Sequence, residues 1–494
     1  MKFVLWLLLI LAISSGLRLY RLERQSLWFD EAYSVFMARN DPATLWKQQA
    51  ADSSPTFYYS LLHYWIQLFG NSELSVRLLS ALFGILLIPL LFVAGRELFN
   101  RSVGLCAAII AGISPIHIYY SQEARMYTLL SFMSLVSFLM LHLSLGKNRK
   151  RHWIGYVLST TLCLYTHNFG VMLVLAQGIY CAVALYEKKD TAVSFRCFIS
   201  AAGVLIAYVP RMLVLFGQMG GQMNQWIDPI STGELMSTLT HFALQSWRLP
   251  LTHAMSLLIA VASPVCGVLL LLGMGYRNSP RQRAFLFSYL IVPLAIAALI
   301  SLRIPVFVAG RYDMLVFPAF CLCTAAGLYK VKWPLIRYGL YIFIGVATSL
   351  VLSRYYVHYE KSNDKVVAAY IQESAADGDI IVTTELSMLP FEYYRTKERR
   401  YTVFPFPEGP RGYLVPEALT GDEAYINMQT EMLVNTFSSL LTQQNRIWVL
   451  YQPWKFSDKL LEWMTEHLTF VSKIDFFPGD NRNQVHAVLA FRRK

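Results

Sequence analysis

Charge is what this sequence has least of. Only 15% of its 494 residues are Asp, Glu, Lys or Arg, against 55% hydrophobic residues, whereas a soluble globular chain carries about a quarter charged residues. That shortage excludes an ordinary soluble domain and points to a polytopic membrane protein. Cysteine is scarce as well. The seven cysteines (106, 163, 181, 197, 266, 321 and 323) all lie within or beside strongly apolar runs. No disulfide framework is legible, and Cys321-Leu-Cys323 has the wrong spacing and too apolar a setting for zinc. These thiols read as buried and inert. No His/Asp cluster has a spacing that demands a metal, so no cofactor is expected to be required. Short-period repeats and low-complexity tracts are missing too.

What is present in quantity is apolar sequence in runs long enough to cross about 30 Å of hydrocarbon. They lie near 3–17, 77–95, 103–119, 126–145, 153–168, 169–186, 197–216, 252–275, 284–302, 312–329 and 337–353, about eleven in all. The links between them alternate in charge. Arg96 and Arg101, Lys147 to Arg151, Lys188 to Arg196, Arg277 to Arg283 and Lys330 to Arg337 fall on one side, which the positive-inside rule makes cytoplasmic. Lys2 puts the N-terminus inside, and an odd number of spans exports the C-terminal region. The formal charge of +12 is therefore a topology signal and makes no case for nucleic acid. The first run also loosely fits a cleaved signal peptide, with Lys2 ahead and Ala12-Ile-Ser14 behind. Retention is the expectation, because it tethers the polar segment that follows.

Polar complexity gathers on the proposed outer face. The first loop, about 18–76, holds the adjacent carboxylates Asp30 and Glu31 among Trp28, Phe29 and Tyr33. Acids held at the edge of a membrane bundle are functional candidates, and an aromatic setting can desolvate and tune them. The same loop contains Phe57-Tyr-Tyr-Ser-Leu-Leu-His-Tyr-Trp-Ile-Gln-Leu-Phe69, which suits a helix lying at the interface. Further outer segments are His117 to Tyr127, Tyr165 to Asn168, a longer loop at 217–250 and Arg303 to Asp313. His117 itself reads only as an interface marker. From about Tyr355 the composition shifts to polar helical patterns, notably 363–373, and short β-rich runs at 380–384, 446–451 and 485–491. This predicts a soluble α/β domain over 354–494, following a membrane module over 1–353. The domain has no Gly-rich phosphate loop or nucleotide fingerprint, and an accessory role is expected.

Several motifs recur in order on that one face: Asp30-Glu-Ala-Tyr-Ser34, Ser54-Pro-Thr-Phe-Tyr-Tyr59, Arg77-Leu-Leu-Ser-Ala-Leu-Phe-Gly84, Ser114 to Tyr127, Tyr165-Thr-His167 and Gly310-Arg-Tyr312. Over about the first 350 residues the chain resembles the GT-C glycosyltransferases. Within them it is similar to the bacterial branch of the protein O-mannosyltransferases (glycosyltransferase family 39) and the lipid A aminoarabinose transferases. One departure is Ser54-Pro55-Thr56, where many relatives have two successive prolines. The resemblance implies an α-helical polytopic fold of GT-C type and a sugar donor carried on polyprenyl phosphate. It also implies transfer to a hydroxyl acceptor at the outer face of the cytoplasmic membrane, with inversion. Membrane lipids are the expected surroundings, the acceptor is a glycan, lipid or protein, and nucleic acid is not a partner.

Such a reaction needs a base for the attacking hydroxyl and cations for the departing phosphate. Asp30 is the base candidate, ranked above Glu31 by the resemblance; capping of an interfacial helix is the structural alternative for the pair. Arg125 and Arg311 are the phosphate partners, with snorkelling anchors as the alternative. Glu123 supports Arg125 or forms a local salt bridge. His167 and Tyr120 are candidates for hydrogen bonding to phosphate or sugar. Asp52 is a possible second acid near the acceptor, against simple loop solvation. The rival functions are an oligosaccharide ligase or polymerase using a diphosphate-linked donor, a lipid or glycan transporter or flippase, and a non-catalytic assembly partner.

Overall fold

The computed structural model describes the chain apart from residues 1, 49–53, 220–226, 228–229, 245–251, 277–278, 397–400, 407–422, 441–444, 452–456, 477–485 and 494. It divides into two compact units, Met1–Leu22 with Asn40–Gln218 and Ile227–Tyr356, and Glu23–Arg39 with Met219–Trp226 and Val357–Lys494.

The first unit is a helical bundle. All eleven predicted stretches are helical, but they are not eleven equal spans. Among the described residues eight helices are long and apolar enough to cross a membrane: Lys2–Leu19, Glu73–Leu98, Tyr127–Lys147, Gly170–Lys188, Thr191–Gln218, His253–Met274, Pro280–Ser301 and Pro334–His358. The predicted span at 103–119 is instead a pair, Arg101–Ile113 and Pro115–Ser121, bent by 62°, which makes nine if counted as one. Lys150–Thr166 has 17 residues and Phe317–Lys330 only 14. At about 1.5 Å per residue both fall short of a bilayer core of about 30 Å. The shorter helix needs no lipid-facing length, because every residue from Phe317 to Leu328 is buried. Gly327 lets it press against His253–Met274, since a methyl there would collide with the Leu269 carbonyl.

The bend at Ser114-Pro115 has a local cause and a long-range remedy. Pro115 has no N–H, so the carbonyl of Ala111 loses the donor that a continuous helix would supply. Arg18, fully buried near the end of the first helix, donates to Ala111 O at 2.9 Å and Gly112 O at 2.8 Å. It also donates to Ser14 O and Ser14 Oγ, and its Nη2 lies 2.8 Å from His117 Nδ1. A buried guanidinium thus satisfies a broken helix end.

The second unit contains a five-stranded mixed sheet in the order β2-β1-β3-β5-β4. The strands are β1 (Ile380–Thr384), β2 (Thr402–Phe406), β3 (Ile447–Tyr451), β4 (Leu468–Phe476) and β5 (His486–Arg493). β1 pairs in parallel with β2 and β3, and β5 runs antiparallel to β3 and β4. Alternate residues feed two faces: Ile380, Val382 and Val449 pack with Leu460 and Met464, while Ile381 and Trp448 pack with Val367 and Ile371 of the helix Asp364–Ser374. β2 and β4 escaped the sequence reading because both are edge strands. One carries Pro405, and the other is exposed along most of its length, so neither shows a buried-strand pattern. The helix Phe29–Ala38 also belongs to this unit and packs against Met388–Tyr394.

Candidate functional site

In the first unit, Arg125 is placed by the helices around it. Tyr58 and Tyr59 lie on the buried face of Phe57–Phe69. The Tyr58 hydroxyl is 2.9 Å from Ser80 Oγ, which donates to the Arg125 carbonyl at 2.9 Å. Thr128 Oγ1 donates to the Ser80 carbonyl at 2.8 Å. With its backbone pinned in this way, Arg125 extends a buried guanidinium whose Nη1 donates to Tyr59 OH at 3.3 Å. The Arg125 amide itself donates to the Glu123 carbonyl at 2.7 Å.

Arg311 is placed by a turn that explains the Gly-Arg-Tyr motif. Gly310 has φ +72°, and a side chain there would come within 2.6 Å of the His241 ring, so glycine is required twice over. Asp313 accepts from Gly310 N and from Thr238 Oγ1, both at 2.8 Å, and Glu234 accepts from Ala309 N at 3.0 Å. Thr238 and Glu234 come from the helix Thr232–Ala243, inside the stretch expected to be loop. The buried Arg311 guanidinium then donates through Nε to Tyr127 OH. It lies 5.5 Å from the Tyr127 ring centroid and 5.9 Å from that of Tyr312.

His167 joins the two arginines. It ends the helix Lys150–Thr166 in an extended conformation, and its Nδ1 accepts from Phe169 N at 3.2 Å. In a neutral ring this leaves the proton on Nε2. The ring packs on Tyr312, Phe169 and Tyr127 at centroid distances of 4.8, 5.5 and 6.3 Å. Arg125 and Arg311 both act electrostatically on it. Tyr120 packs on Tyr127 at 4.7 Å, and Glu123, Arg311 and Asp313 act electrostatically on its hydroxyl. That hydroxyl is buried and has no hydrogen-bond partner among the described residues. Tyr120, Glu123 and Arg125 from one short stretch, with His167 and Arg311 from two distant ones, therefore form one buried group. It pairs two cations with aromatic rings and a tyrosine hydroxyl ready for a ligand oxygen.

The acids belong to the second unit. Asp30 and Glu31 occupy the first turn of Phe29–Ala38, where a helix N-terminus favours negative charge. Their surroundings differ. Glu31 is 0% exposed and its Oε2 is 3.9 Å from Lys361 Nζ, itself 2% exposed, whereas Asp30 is only half-buried. Asp52 lies outside the described residues.

Other charged groups were missed. His117 is no interface marker: it is fully buried, bonded to Arg18 and stacked on Phe317 at 5.0 Å. Arg211, fully buried, donates to Asn168 Oδ1 at 3.3 Å and Gln218 Oε1 at 3.4 Å, next to His167 in sequence. Its signal was available, as it is the one charged residue in the apolar stretch 197–216, and an ionisable group inside a span is a functional candidate. Lys361 had no such signal, because its burial depends on the tertiary fold.

Comparisons with known proteins bear on the fold. The dolichyl-phosphate-mannose-protein mannosyltransferase family matches residues 52–214. No curated relative matches the chain by sequence. Among solved structures, the apo form of ArnT from Cupriavidus metallidurans is similar, with a TM-score of 0.59 at 13% identity over 99% of this chain and 98% of that one. The same protein bound to undecaprenyl phosphate gives 0.58 at 13% identity, with 98% of each chain covered. An oligosaccharyltransferase from Archaeoglobus fulgidus gives 0.56 at 12% identity over 91% of this chain and 69% of that one. The resemblance first read from the motifs thus stands: the chain has the fold of the GT-C glycosyltransferases and resembles ArnT and the protein mannosyltransferases.

Proposed function

We propose that this protein is a membrane glycosyltransferase that moves a sugar from a polyprenyl-phosphate donor to a hydroxyl acceptor, with inversion, on the outer face of the cytoplasmic membrane. One observation carries the reading. The buried Arg311 guanidinium donates to Tyr127, whose ring also packs on Tyr120 at 4.7 Å and on His167 at 6.3 Å, the Tyr120 hydroxyl has no hydrogen-bond partner among the described residues, and the buried Arg125 donates to the neighbouring phenol of Tyr59. Buried charge is costly unless matched. A phosphate, with several acceptor oxygens and at least one negative charge, suits a pair of planar donors set among rings. The match to the dolichyl-phosphate-mannose-protein mannosyltransferases over 52–214 spans Arg125, His167 and Tyr120, and the similar ArnT has been solved with undecaprenyl phosphate.

In the mechanism, the acceptor oxygen forms a bond to the anomeric carbon while the bond from that carbon to the phosphate oxygen breaks. The acceptor proton passes to the Asp30 carboxylate. Charge grows on the departing phosphate, and Arg125 and Arg311 stabilise it there more than in the ground state. Tyr120 and His167 Nε2 supply neutral donors to the same oxygens. Glu31, already paired with Lys361, is a poorer base than its neighbour. By the positive-inside rule the basic links support a cytoplasmic N-terminus and an outer location for 354–494.

The test is mass spectrometry of envelope glycans and lipids in a deletion strain. A missing sugar together with accumulated polyprenyl-phosphate sugar supports the reading and identifies donor and acceptor. Accumulation of a diphosphate-linked glycan overturns it in favour of a ligase. A lipid stranded on one leaflet with every glycosidic bond intact overturns it in favour of a transporter.

A further inference from the structure

The residues that hold the acid pair lie far away in sequence, at the start of the region after the last long helix. Gln25 acts as a two-sided clip: its Nε2 donates to the Tyr359 carbonyl at 3.2 Å and its Oε1 accepts from Lys361 N at 3.2 Å. Ser26 Oγ accepts from Lys365 N at 3.3 Å, and Leu27 N donates to Tyr394 OH at 2.6 Å. Arg24 faces Glu360 at 3.9 Å in an exposed pair, which adds little. Four backbone-directed bonds thus fix residues 25–27 against 359–365 and Tyr394, immediately before the helix that carries Asp30 and Glu31.

The side chain of Lys361 then finishes the arrangement. Glu31 is 0% exposed and Lys361 2% exposed, with Oε2 and Nζ 3.9 Å apart. Neither ion belongs in such a place alone, because desolvation penalises both unless they are paired. Consecutive helix positions point about 100° apart. Turning Glu31 inward onto Lys361 therefore turns Asp30 to a different side of the helix, where it is half-buried. The ammonium also neutralises the nearest carboxylate, which would otherwise oppose charge on Asp30.

We propose that Lys361 is a positioning residue for the reaction: by binding Glu31 it sets the rotation of the helix Phe29–Ala38 and so aims Asp30. The region after residue 354 is then part of the catalytic apparatus and more than an accessory. This rests on the reading of Asp30 as the base, and the experiment keeps the two apart.

The experiment uses the full-length protein. Transfer is read as restoration of the missing envelope sugar in the deletion strain at matched protein level. Donor-site integrity is read as binding of undecaprenyl phosphate to purified protein. Lys361→Met is expected to lower transfer about 10- to 100-fold, as misaimed catalytic groups do, with undecaprenyl phosphate binding within about twofold of wild type. Lys361→Arg is expected to recover most of that loss by restoring the charge. Adding Glu31→Gln to Lys361→Met is expected to recover part of it, because no buried carboxylate then faces the lost ammonium. Should Lys361→Met prove too unstable to purify, Gln25→Ala loosens the clip without removing a charge and should lower transfer in the same direction with binding retained. Wild-type transfer in Lys361→Met, or an equal loss in Lys361→Met and Lys361→Arg, overturns the proposal. Asp30→Asn run in parallel judges the base separately: full transfer there removes the base assignment whatever Lys361 does.

Discussion

Two groups of buried arginine in the first unit make opposite use of the same side chain. Arg18 directs donors at the carbonyls of Ser14, Ala111 and Gly112, besides the Ser14 hydroxyl and the His117 ring, and Arg77 reaches the Leu22 carbonyl at 2.9 Å. Arg125 and Arg311 instead meet the hydroxyls of Tyr59 and Tyr127. A carbonyl can only accept, so the bonds by which Arg18 closes the broken helix end belong to the frame. A tyrosine hydroxyl both accepts and donates. When an anion arrives, the hydroxyl can rotate to donate alongside the guanidinium. Burial and charge therefore do not by themselves mark a binding arginine.

The largest effect is expected at Arg18. Arg18→Met removes the donors of several buried carbonyls, each orphaned group costing about 1–3 kcal/mol. The expected result is the largest stability loss of the set, seen as a drop in folded yield and thermal midpoint. Undecaprenyl phosphate binding per folded molecule should hold. Arg311→Ala should do the reverse, leaving the thermal midpoint near wild type while weakening undecaprenyl phosphate binding roughly 10- to 100-fold, the range for losing a charge-assisted hydrogen bond. Arg311→Lys should fall between, because it keeps the charge and loses the fork. Arg125→Ala should resemble Arg311→Ala, and the double variant should lose less than the two effects combined if both hold one phosphate. Equal binding losses in Arg18→Met and Arg311→Ala would erase the distinction.

A smaller effect is expected at Gly310. Gly310→Ala imposes left-handed backbone on a residue with a Cβ, at about 1–2 kcal/mol, and pushes that Cβ onto the His241 ring. It should lower the thermal midpoint modestly and weaken binding through displacement of Arg311. The least effect belongs to Tyr120→Phe, which removes one neutral donor and should weaken undecaprenyl phosphate binding about 2- to 10-fold. Tighter binding in that variant would mean that the lone hydroxyl serves no ligand.

The sequence carried the membrane class, all eleven helical stretches and the members of the arginine group, because apolar runs and polar motifs at their ends are local patterns. It did not carry what depends on contacts across the chain. The motif Gly310-Arg-Tyr312 was legible, but the reason for its glycine lies in His241, on a helix within a stretch that read as loop. The span at 103–119 looked continuous, since only Pro115 signals the break and nothing local reveals that Arg18 completes it. The helix Phe317–Lys330 looked like an ordinary span because full burial in protein and burial in lipid demand the same apolar residues. For the acids, adjacency was plain, yet the difference between Asp30 and Glu31 needed Lys361, 330 positions beyond Glu31.

The proposed reaction depends most on Asp30 acting as the base for transfer from a lipid phosphate. Its most direct test is single-turnover transfer by purified Asp30→Asn, using the polyprenyl-phosphate sugar that accumulates in the deletion strain, with undecaprenyl phosphate binding measured on the same preparation. The substitution keeps size and removes the charge a base needs. Binding is expected to be unchanged and the transfer rate lower by about a hundredfold or more. Near-normal transfer with intact binding would contradict it.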